Sequence, residues 1–162
     1  MSFLKNLFKG SELEILAPVS GEAVSIKEVN DPTFSEEILG KGIAIRPSEG
    51  KIVAPCDGII GMMFDTGHAV SMTADCGAEV LVHVGLETVG LKGKFFKVHA
   101  KDGDHVKAGQ LLIEFDPEGI KNAGYDLITP IVICNTDDFA SVNPVAGGKV
   151  AAGDKIIGIE KK

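Results

Sequence analysis

Two histidines, His68 and His83, stand at the ends of a segment with the pattern of a β-hairpin. The residues after His68 favour an extended strand, residues 75–77 (Asp-Cys-Gly) are of the types that tight turns use, and the next run places Val80, Val82 and Val84 on one face. A neutral imidazole near pH 7 can be a nucleophile, a proton carrier or a metal ligand. The hairpin therefore predicts a chemical site at its open end.

The length of the turn decides whether the two rings meet. A two-residue loop places His68 opposite His83, with Cβ atoms roughly 5 Å apart, and a four-residue loop makes them diagonal neighbours at most about 8 Å apart. An odd loop sends the two side chains to opposite faces. We expect an even loop. We also expect Thr66, which precedes His68 in a predicted strand, to share its face and fix the ring tautomer; otherwise Thr66 is an ordinary strand residue.

Three interpretations of the histidine pair compete. Each histidine taken alone is more often an ordinary surface or half-buried residue. A zinc site needs a third and usually a fourth ligand, and residues 99–105, which hold the other two histidines, have the pattern of a solvated turn. In phosphoryl transfer one imidazole attacks while the other donates a hydrogen bond to the phosphoryl oxygens, with no metal or cofactor. Because both rings are expected on one face, we favour the third interpretation.

Composition narrows the class of protein. The chain has 162 residues and a net charge of -7, and it lacks the clusters of Lys and Arg that nucleic acid binding needs. Three widely spaced cysteines, Cys56, Cys76 and Cys134, fit a reducing cytoplasm better than a disulfide framework. No run approaches the roughly 20 apolar residues of a membrane span. These features predict an acidic, cytoplasmic protein.

Short strands separated by glycine and proline predict an all-β fold. We expect strands near residues 13–16, 22–26, 42–46, 51–53, 58–64, 69–74, 79–86, 95–100, 110–115, 128–134 and 155–159, and helical turns at residues 34–39 and 117–123. An A-P-x-x-G pattern at residues 17–21 recurs at 54–58, and V-x-x-G-(D/Q) at residues 106–110 recurs at 150–154. The repeats predict an internally duplicated antiparallel β-sandwich.

Residues 1–12 are predicted to precede a single domain at residues 13–162. Phe3, Leu4, Leu7 and Phe8 lie on one side of a short helical projection, beside Lys5 and Lys9. Residues 1–10 could contact an anionic membrane surface reversibly, or form a short helix or frayed tail that packs on the domain.

The residues then resemble a known family. Residues 77–89 (Gly-Ala-Glu-Val-Leu-Val-His-Val-Gly-Leu-Glu-Thr-Val) resemble the phosphohistidine signature of the enzyme IIA domain of the bacterial glucose-class phosphotransferase system. The resemblance extends through residues 15–21, 42–47, 53–58, 66–69, 91–93 and 128–135, and therefore covers nearly the whole chain. The family fold is an antiparallel β-sandwich, which agrees with the strand pattern.

The resemblance implies a phosphocarrier of sugar uptake. His83 would accept a phosphoryl group on Nε2 from the histidine-containing phosphocarrier protein and pass it to a cysteine of an enzyme IIB domain. His68 would steady the transferring group, Thr66 would orient His68, and the Gly85 carbonyl would hold Nδ1 of His83. The remaining implied positions form a partner-docking rim: apolar Phe34, Ile38, Leu39 and Phe64, and acidic Asp31 and Glu87, the last standing where relatives are expected to have aspartate.

Three rival functions stay open beside that one. A biotin or lipoyl carrier needs a lysine at a hairpin tip, where this chain has Asp75 and Cys76. A zinc-dependent hydrolase on a related sandwich would use His68 and His83 as ligands and lacks an evident third ligand. A mainly regulatory protein would bind targets according to the phosphorylation state of its histidine, a role compatible with carrying the phosphoryl group.

Overall fold

The computed structural model describes residues 12–145 and 147–162, and these residues form fourteen strands. The strands are β1 (Glu12–Leu16), β2 (Gly21–Ser25), β3 (Lys41–Pro47), β4 (Lys51–Val53), β5 (Gly58–Met63), β6 (Ala69–Ala74), β7 (Glu79–His83), β8 (Phe96–Val98), β9 (His105–Val106), β10 (Leu111–Phe115), β11 (Thr129–Ile133), β12 (Phe139–Pro144), β13 (Gly148–Val150) and β14 (Lys155–Lys161). The predicted N-terminal segment, residues 1–12, lies outside the described residues except for Glu12, where β1 begins.

Helical structure in the described chain is short. The elements are α1 (Pro32–Ser35), α2 (Pro117–Asn122) and 3₁₀ turns at Ile26–Glu28, Thr88–Leu91 and Thr136–Asp138. Asp31 and Asp116 cap the two α-helices by accepting from the amides of Thr33 and Gly119. The helical turn predicted at residues 34–39 was misplaced, because the capping aspartate and the proline after it start α1 earlier.

The strands form three antiparallel sheets around one core. An eight-stranded sheet has the order β13-β2-β3-β11-β7-β6-β5-β9, and the three-stranded sheets have the orders β1-β14-β12 and β4-β10-β8. Buried side chains from all three sheets meet in the main core, among them Ile15, Ile52 and Val82. The predicted all-β sandwich is therefore confirmed.

A second, smaller core covers the opposite face of the large sheet. Val132 of β11 packs there with Ile26 of the first 3₁₀ turn and Phe34 of α1, whereas Ile131 and Ile133 point into the main core. Because β11 is covered on both faces, all five of its residues are buried. The segment around α1 thereby lies over the face that also carries the end of β7.

The two copies of each repeated motif make equivalent backbone hydrogen bonds. Ala17 accepts a hydrogen bond from the Gly153 amide and Ala54 accepts one from the Gly109 amide, both at 2.9 Å. The two A-P-x-x-G turns also bond each other reciprocally, because the amides of Leu16 and Val53 donate to the carbonyls of Pro55 and Pro18 at 2.8 Å. The order β13-β2-β3-β11 in one half of the large sheet matches β9-β5-β6-β7 in the other. The predicted duplication is thus an approximate twofold arrangement.

Every predicted strand exists; β4 and β6 have the predicted bounds, and the other strands have shifted ends. The strand predicted at residues 79–86 ends at His83, and the one predicted at residues 95–100 is shortened to β8. The sequence analysis missed β9, β12 and β13, which all lie at the edge of a sheet. Edge strands bury less apolar surface, so their sequences carry a weaker alternation.

Candidate functional site

The β6–β7 hairpin has a three-residue loop, not the even loop that the sequence predicted. Ala69 pairs with His83, and the ladder continues until the Ala74 amide donates to the Ala78 carbonyl at 2.8 Å around residues 75–77. The third loop residue, Gly77, has a φ of 95°, which suits the left-handed position of such loops. The arrangement expected from an even loop, with the two histidines directly opposite or diagonal across the hairpin, was therefore wrong.

The two rings nevertheless lie against each other, because His68 precedes β6 and its side-chain direction does not follow the alternation of that strand. Gly67, with a φ of 73°, turns the chain just ahead of it. The His68 carbonyl accepts from the Val84 amide at 2.7 Å, so this backbone is fastened to the end of β7. The imidazoles of His68 and His83 stand edge to face with their centroids 5.1 Å apart. The structure thus places the predicted pair in contact through the turn at Gly67 and not through strand pairing.

Thr66 contacts His68 from a turn, which corrects the strand predicted for it. Its hydroxyl oxygen lies 2.5 Å from Nδ1 of His68. The ring of Phe64 packs edge-on against the same imidazole with centroids 5.1 Å apart, and the Phe64 carbonyl accepts from the Gly67 amide at 2.8 Å. The turn at residues 64–67 therefore orients His68 from two sides.

The backbone after β7 orients His83. Nδ1 of His83 lies 2.7 Å from the Gly85 carbonyl, which can only accept, so Nδ1 carries the ring proton. Nε2 consequently keeps its lone pair and faces away from that bond. The φ of Gly85 is 75°, and a Cβ there would lie 2.7 Å from the Asp126 carbonyl oxygen. Only glycine fits this position without a shift of the neighbouring backbone.

Both imidazoles are held neutral. Burial lowers the pKa of His68 from its ordinary 6.5 to about 4, with the neighbouring His83 acting in the same direction. Burial also lowers the pKa of His83, although the hydrogen bond to Gly85 and the charge of Asp31 act in the opposite direction. His68 is 4% exposed and His83 is half-buried, so the second ring is the more accessible one. At neutral pH the site offers one accessible imidazole nucleophile.

The predicted docking rim is only partly what the structure contains. Phe34 is buried at 4% exposure and packs against His83 with ring centroids 5.4 Å apart, so it supports the ring from beneath and does not form an exposed rim. Phe34 is buried and not exposed because it belongs to the smaller core. Phe64 is half-buried beside His68. These two aromatic rings therefore flank the histidine pair.

The two predicted acidic positions lie together. Asp31, half-buried, and Glu87, exposed, line one hollow of about 450 Å³ with Tyr125 and Asp126. Ile38 and Leu39 are exposed and line a different hollow, which includes Cys134 and Thr136. The acidic part of the predicted rim thus forms one surface, whereas Ile38 and Leu39 belong to another.

The sequence analysis missed two contributors to the turn that carries Gly85. Thr88 is fully buried and its hydroxyl donates to the Val84 carbonyl at 2.5 Å. The Asp126 carbonyl accepts from the Leu86 amide at 3.0 Å and abuts Gly85. Neither has a signature in the sequence, because Thr88 follows the charged Glu87 and Asp126 acts through its backbone carbonyl.

The described residues also bear on the metal and membrane expectations. Within residues 12–145 and 147–162 no group of three or more His, Cys, Asp or Glu side chains is arranged to hold a metal ion. None of the helices in that part of the chain has the length and apolar character needed to cross a bilayer.

Comparison with known proteins extends over nearly the whole chain. Residues 13–139 match the family described as phosphoenolpyruvate-dependent sugar phosphotransferase system, EIIA 1. The chain is 45% identical over 154 residues to the PTS system glucose-specific EIIA component of Haemophilus influenzae, covering 95% of this chain and 92% of that protein. It is 49% identical over 138 residues to the PTS system beta-glucoside-specific EIIBCA component of Dickeya chrysanthemi, covering 85% of this chain.

The lengths of the relatives differ. The chain spans 22% of the Dickeya protein and 25% of the PTS system beta-glucoside-specific EIIBCA component of Bacillus subtilis, but 92% of the Haemophilus protein. Among solved structures, glucose permease IIA from Mycoplasma capricolum superposes with a TM-score of 0.84 at 32% identity, covering 91% of this chain and 95% of that one. The chain belongs to the EIIA 1 family of the phosphoenolpyruvate-dependent sugar phosphotransferase system.

Proposed function

We propose that this chain is a phosphotransferase component that carries a phosphoryl group on His83 during sugar uptake. The observation that carries the proposal is the orientation of His83, whose Nδ1–H is bonded to the Gly85 carbonyl while Nε2 keeps a free lone pair beside a second neutral imidazole. The family membership supports the same role. Donor and acceptor are proposed to be the histidine-containing phosphocarrier protein and a cysteine of an enzyme IIB domain.

Each transfer exchanges one bond to phosphorus for another. Nε2 of His83 attacks the phosphorus of the donor's phosphohistidine, the donor's nitrogen–phosphorus bond breaks, and its electron pair returns to the donor imidazole. In the second transfer a cysteine thiolate attacks, and the pair of the breaking bond returns to Nε2 of His83. The proton on Nδ1 of His83 stays in place in both transfers, so both need positioning and charge compensation more than acid or base catalysis.

His68 is proposed to compensate charge on the phosphoryl oxygens. If the Thr66 hydroxyl donates to Nδ1 of His68, Nε2 of His68 carries the proton and can donate it in a hydrogen bond toward a group on His83. Burial strengthens that bond, because the site is shielded from water. Thr66 then sets which nitrogen of His68 is the donor.

The partners are proposed from the surface around the pair. Phe64 offers half-buried apolar area beside His68, and Asp31 and Glu87 offer negative charge that would attract a basic phosphocarrier. The beta-glucoside-specific relatives are named EIIBCA components, which supports a IIB domain as the acceptor. Selection of the sugar is assigned to the membrane partner.

Three further parts of the proposal rest on the sequence. The chain acts in the cytoplasm, and residues 1–10 bring it transiently to the inner face of the membrane through their basic amphipathic pattern. Regulatory targets are bound according to the phosphorylation state of His83. The single domain at residues 13–162 carries the transfer function.

Phosphate incorporation tests the proposal. The chain is incubated with phosphoenolpyruvate, enzyme I and the phosphocarrier protein, alongside His83→Ala and the matched control His105→Ala, which removes an exposed histidine of β9. Acid-labile label should appear on the native chain and the control and vanish in His83→Ala. An unlabelled native chain, with both upstream proteins active, contradicts the proposal; stoichiometric zinc in that chain would then favour the hydrolase alternative.

A further inference from the structure

Val84 links the two histidines to a buried hydroxyl through its backbone amide and its backbone carbonyl. The Val84 amide donates to the His68 carbonyl at 2.7 Å, and the Val84 carbonyl accepts from the Thr88 hydroxyl at 2.5 Å. Thr88 has no exposed surface, so water does not compete for this bond. Val84 is the residue between His83 and Gly85, so its two hydrogen bonds hold the peptide planes on either side of its Cα, and the second of these planes leads to Gly85.

Gly85 itself is enclosed by the same threonine. A Cβ on Gly85 would lie 2.8 Å from the Thr88 Cγ2 and 2.7 Å from the Asp126 carbonyl oxygen. The Asp126 carbonyl also accepts from the Leu86 amide at 3.0 Å. Thr88 therefore touches the segment twice, through its hydroxyl at Val84 and through its methyl at Gly85.

We propose that Thr88 is a positioning residue for His83: its hydroxyl holds the Val84–Gly85 backbone so that the Gly85 carbonyl keeps the proton on Nδ1 and leaves Nε2 free to accept the phosphoryl group. The part concerning phosphoryl transfer rests on the proposed function above. The part concerning the tautomer concerns the unphosphorylated chain alone.

The consequence of losing the hydroxyl follows from the burial of its partner. In Thr88→Val the shape and the contact with Gly85 remain, but the Val84 carbonyl is left buried without its hydrogen bond, which favours rotation of the peptide toward another donor. The Gly85 carbonyl then moves relative to His83. A neutral imidazole without a fixed acceptor at Nδ1 divides its proton between the two nitrogens, and the fraction with a free Nε2 falls.

The experiment combines nitrogen NMR of His83 with the rate of phosphoryl acceptance. Thr88→Val removes the hydroxyl, and Thr88→Ser restores a hydroxyl without the methyl. The matched control is Thr129→Val, because Thr129 is also fully buried and donates its hydroxyl to a backbone carbonyl, that of Leu127, at 2.9 Å. The control measures what loss of a buried threonine hydroxyl does to the fold in general.

Thr88→Val should convert the single Nδ1–H tautomer of His83 into a mixture and slow phosphoryl acceptance by about tenfold or more. Thr88→Ser should keep the native tautomer and a rate within about threefold of the native one. Thr129→Val should keep the native tautomer of His83 and the native rate of phosphoryl acceptance. If Thr88→Val does not fold, Thr88→Cys, with a similar volume and a weak S–H donor, takes its place, with the same direction expected.

Three results would overturn the proposal: an unchanged tautomer in Thr88→Val, an equal change in Thr129→Val, or a failure of Thr88→Ser to restore the native tautomer. The proposed function fails separately. If the native chain accepts no phosphoryl group while Thr88→Val still shifts the tautomer of His83, the positioning role stands and the phosphocarrier role does not.

Discussion

At the scale of residues, the site depends on two imidazoles that stay neutral for the same reason and are oriented by different partners. Burial lowers the pKa of both His68 and His83. His83 is oriented by a backbone carbonyl and His68 by the Thr66 hydroxyl, which can donate or accept. A fixed acceptor suits a nucleophile, and a hydroxyl partner suits a ring that must present N–H to a phosphoryl oxygen.

His68→Gln should separate acceptance from onward transfer. Glutamine cannot replace the oriented ring, so His83 should still be phosphorylated while transfer to the IIB cysteine falls by about 10²-fold, the usual cost of losing one donor to a charged transition state. Single-turnover transfer from the isolated phosphorylated chain measures this. Normal onward transfer by the variant would contradict the role proposed for His68.

Stability should depend on the pH through His68. Its folded pKa of about 4 lies below its ordinary 6.5, so between these values the unfolded chain binds more protons than the folded one and the free energy of unfolding decreases as the pH falls. The loss should be on the order of 3 kcal/mol by pH 4. Urea unfolding at several pH values should give a shallower decrease for His68→Gln; parallel curves for the two proteins would disprove the assignment.

At the scale of elements, the site is formed where strands stop. β7 ends at His83 because Gly85 takes a left-handed backbone shortly after it, and β6 begins only after the bend at Gly67. The ends of neighbouring strands are joined by the bond from the Val84 amide to the His68 carbonyl. The position of each imidazole is therefore determined by an irregular turn that packs on regular strands.

Gly85→Ala should damage both stability and transfer, whereas Gly77→Ala should cost stability alone. Both positions have positive φ, so either alanine costs roughly 1–2 kcal/mol from its backbone conformation. A Cβ at Gly85 also meets the Asp126 carbonyl oxygen at 2.7 Å, whereas a Cβ at Gly77 meets nothing within 4 Å. Urea unfolding and phosphoryl acceptance measure the two effects. Equal losses of transfer in both variants would contradict the role of the Gly85 turn.

At the scale of the whole molecule, the same strand arrangement occurs twice and the imidazole pair occurs once. The first residue of β6, Ala69, pairs with the last of β7, His83, just as Lys41 of β3 pairs with Ile133 of β11. The residue before β3 is Gly40, whereas the residue before the equivalent strand β6 is His68. The duplicated half therefore supplies scaffold, and the proposed transfer chemistry is confined to one half.

The approximate twofold arrangement predicts matched stability effects at Gly109 and Gly153. Each has a positive φ, open space within 4 Å of where a Cβ would lie, and an amide that donates at 2.9 Å to the alanine of an A-P-x-x-G turn. Gly109→Ala and Gly153→Ala should each cost roughly 1–2 kcal/mol, and the double variant should cost the sum within about 0.5 kcal/mol. Urea unfolding measures all three. Clearly unequal single costs would argue against equivalent turns.

The sequence alone determined eleven of the fourteen strands of the described residues, the duplication, and the histidine pair as the candidate site. Alternation in β7 correctly placed Val80 and Val82 on one face, which is buried in the main core, and the A-P-x-x-G repeats predicted the duplication that the reciprocal hydrogen bonds display. These features are local patterns, because each residue's type reflects whether its own position is buried, turned or exposed.

Only the tertiary structure decided how the site is assembled. The odd hairpin loop should have separated the rings, yet His68 reaches His83 because Gly67 turns the chain outside the strand. Burial of Phe34 beneath His83 and the support of Gly85 by Asp126 likewise join residues far apart in sequence. Strand alternation cannot describe a residue in a bend, and contacts between distant segments leave no periodic pattern in either segment.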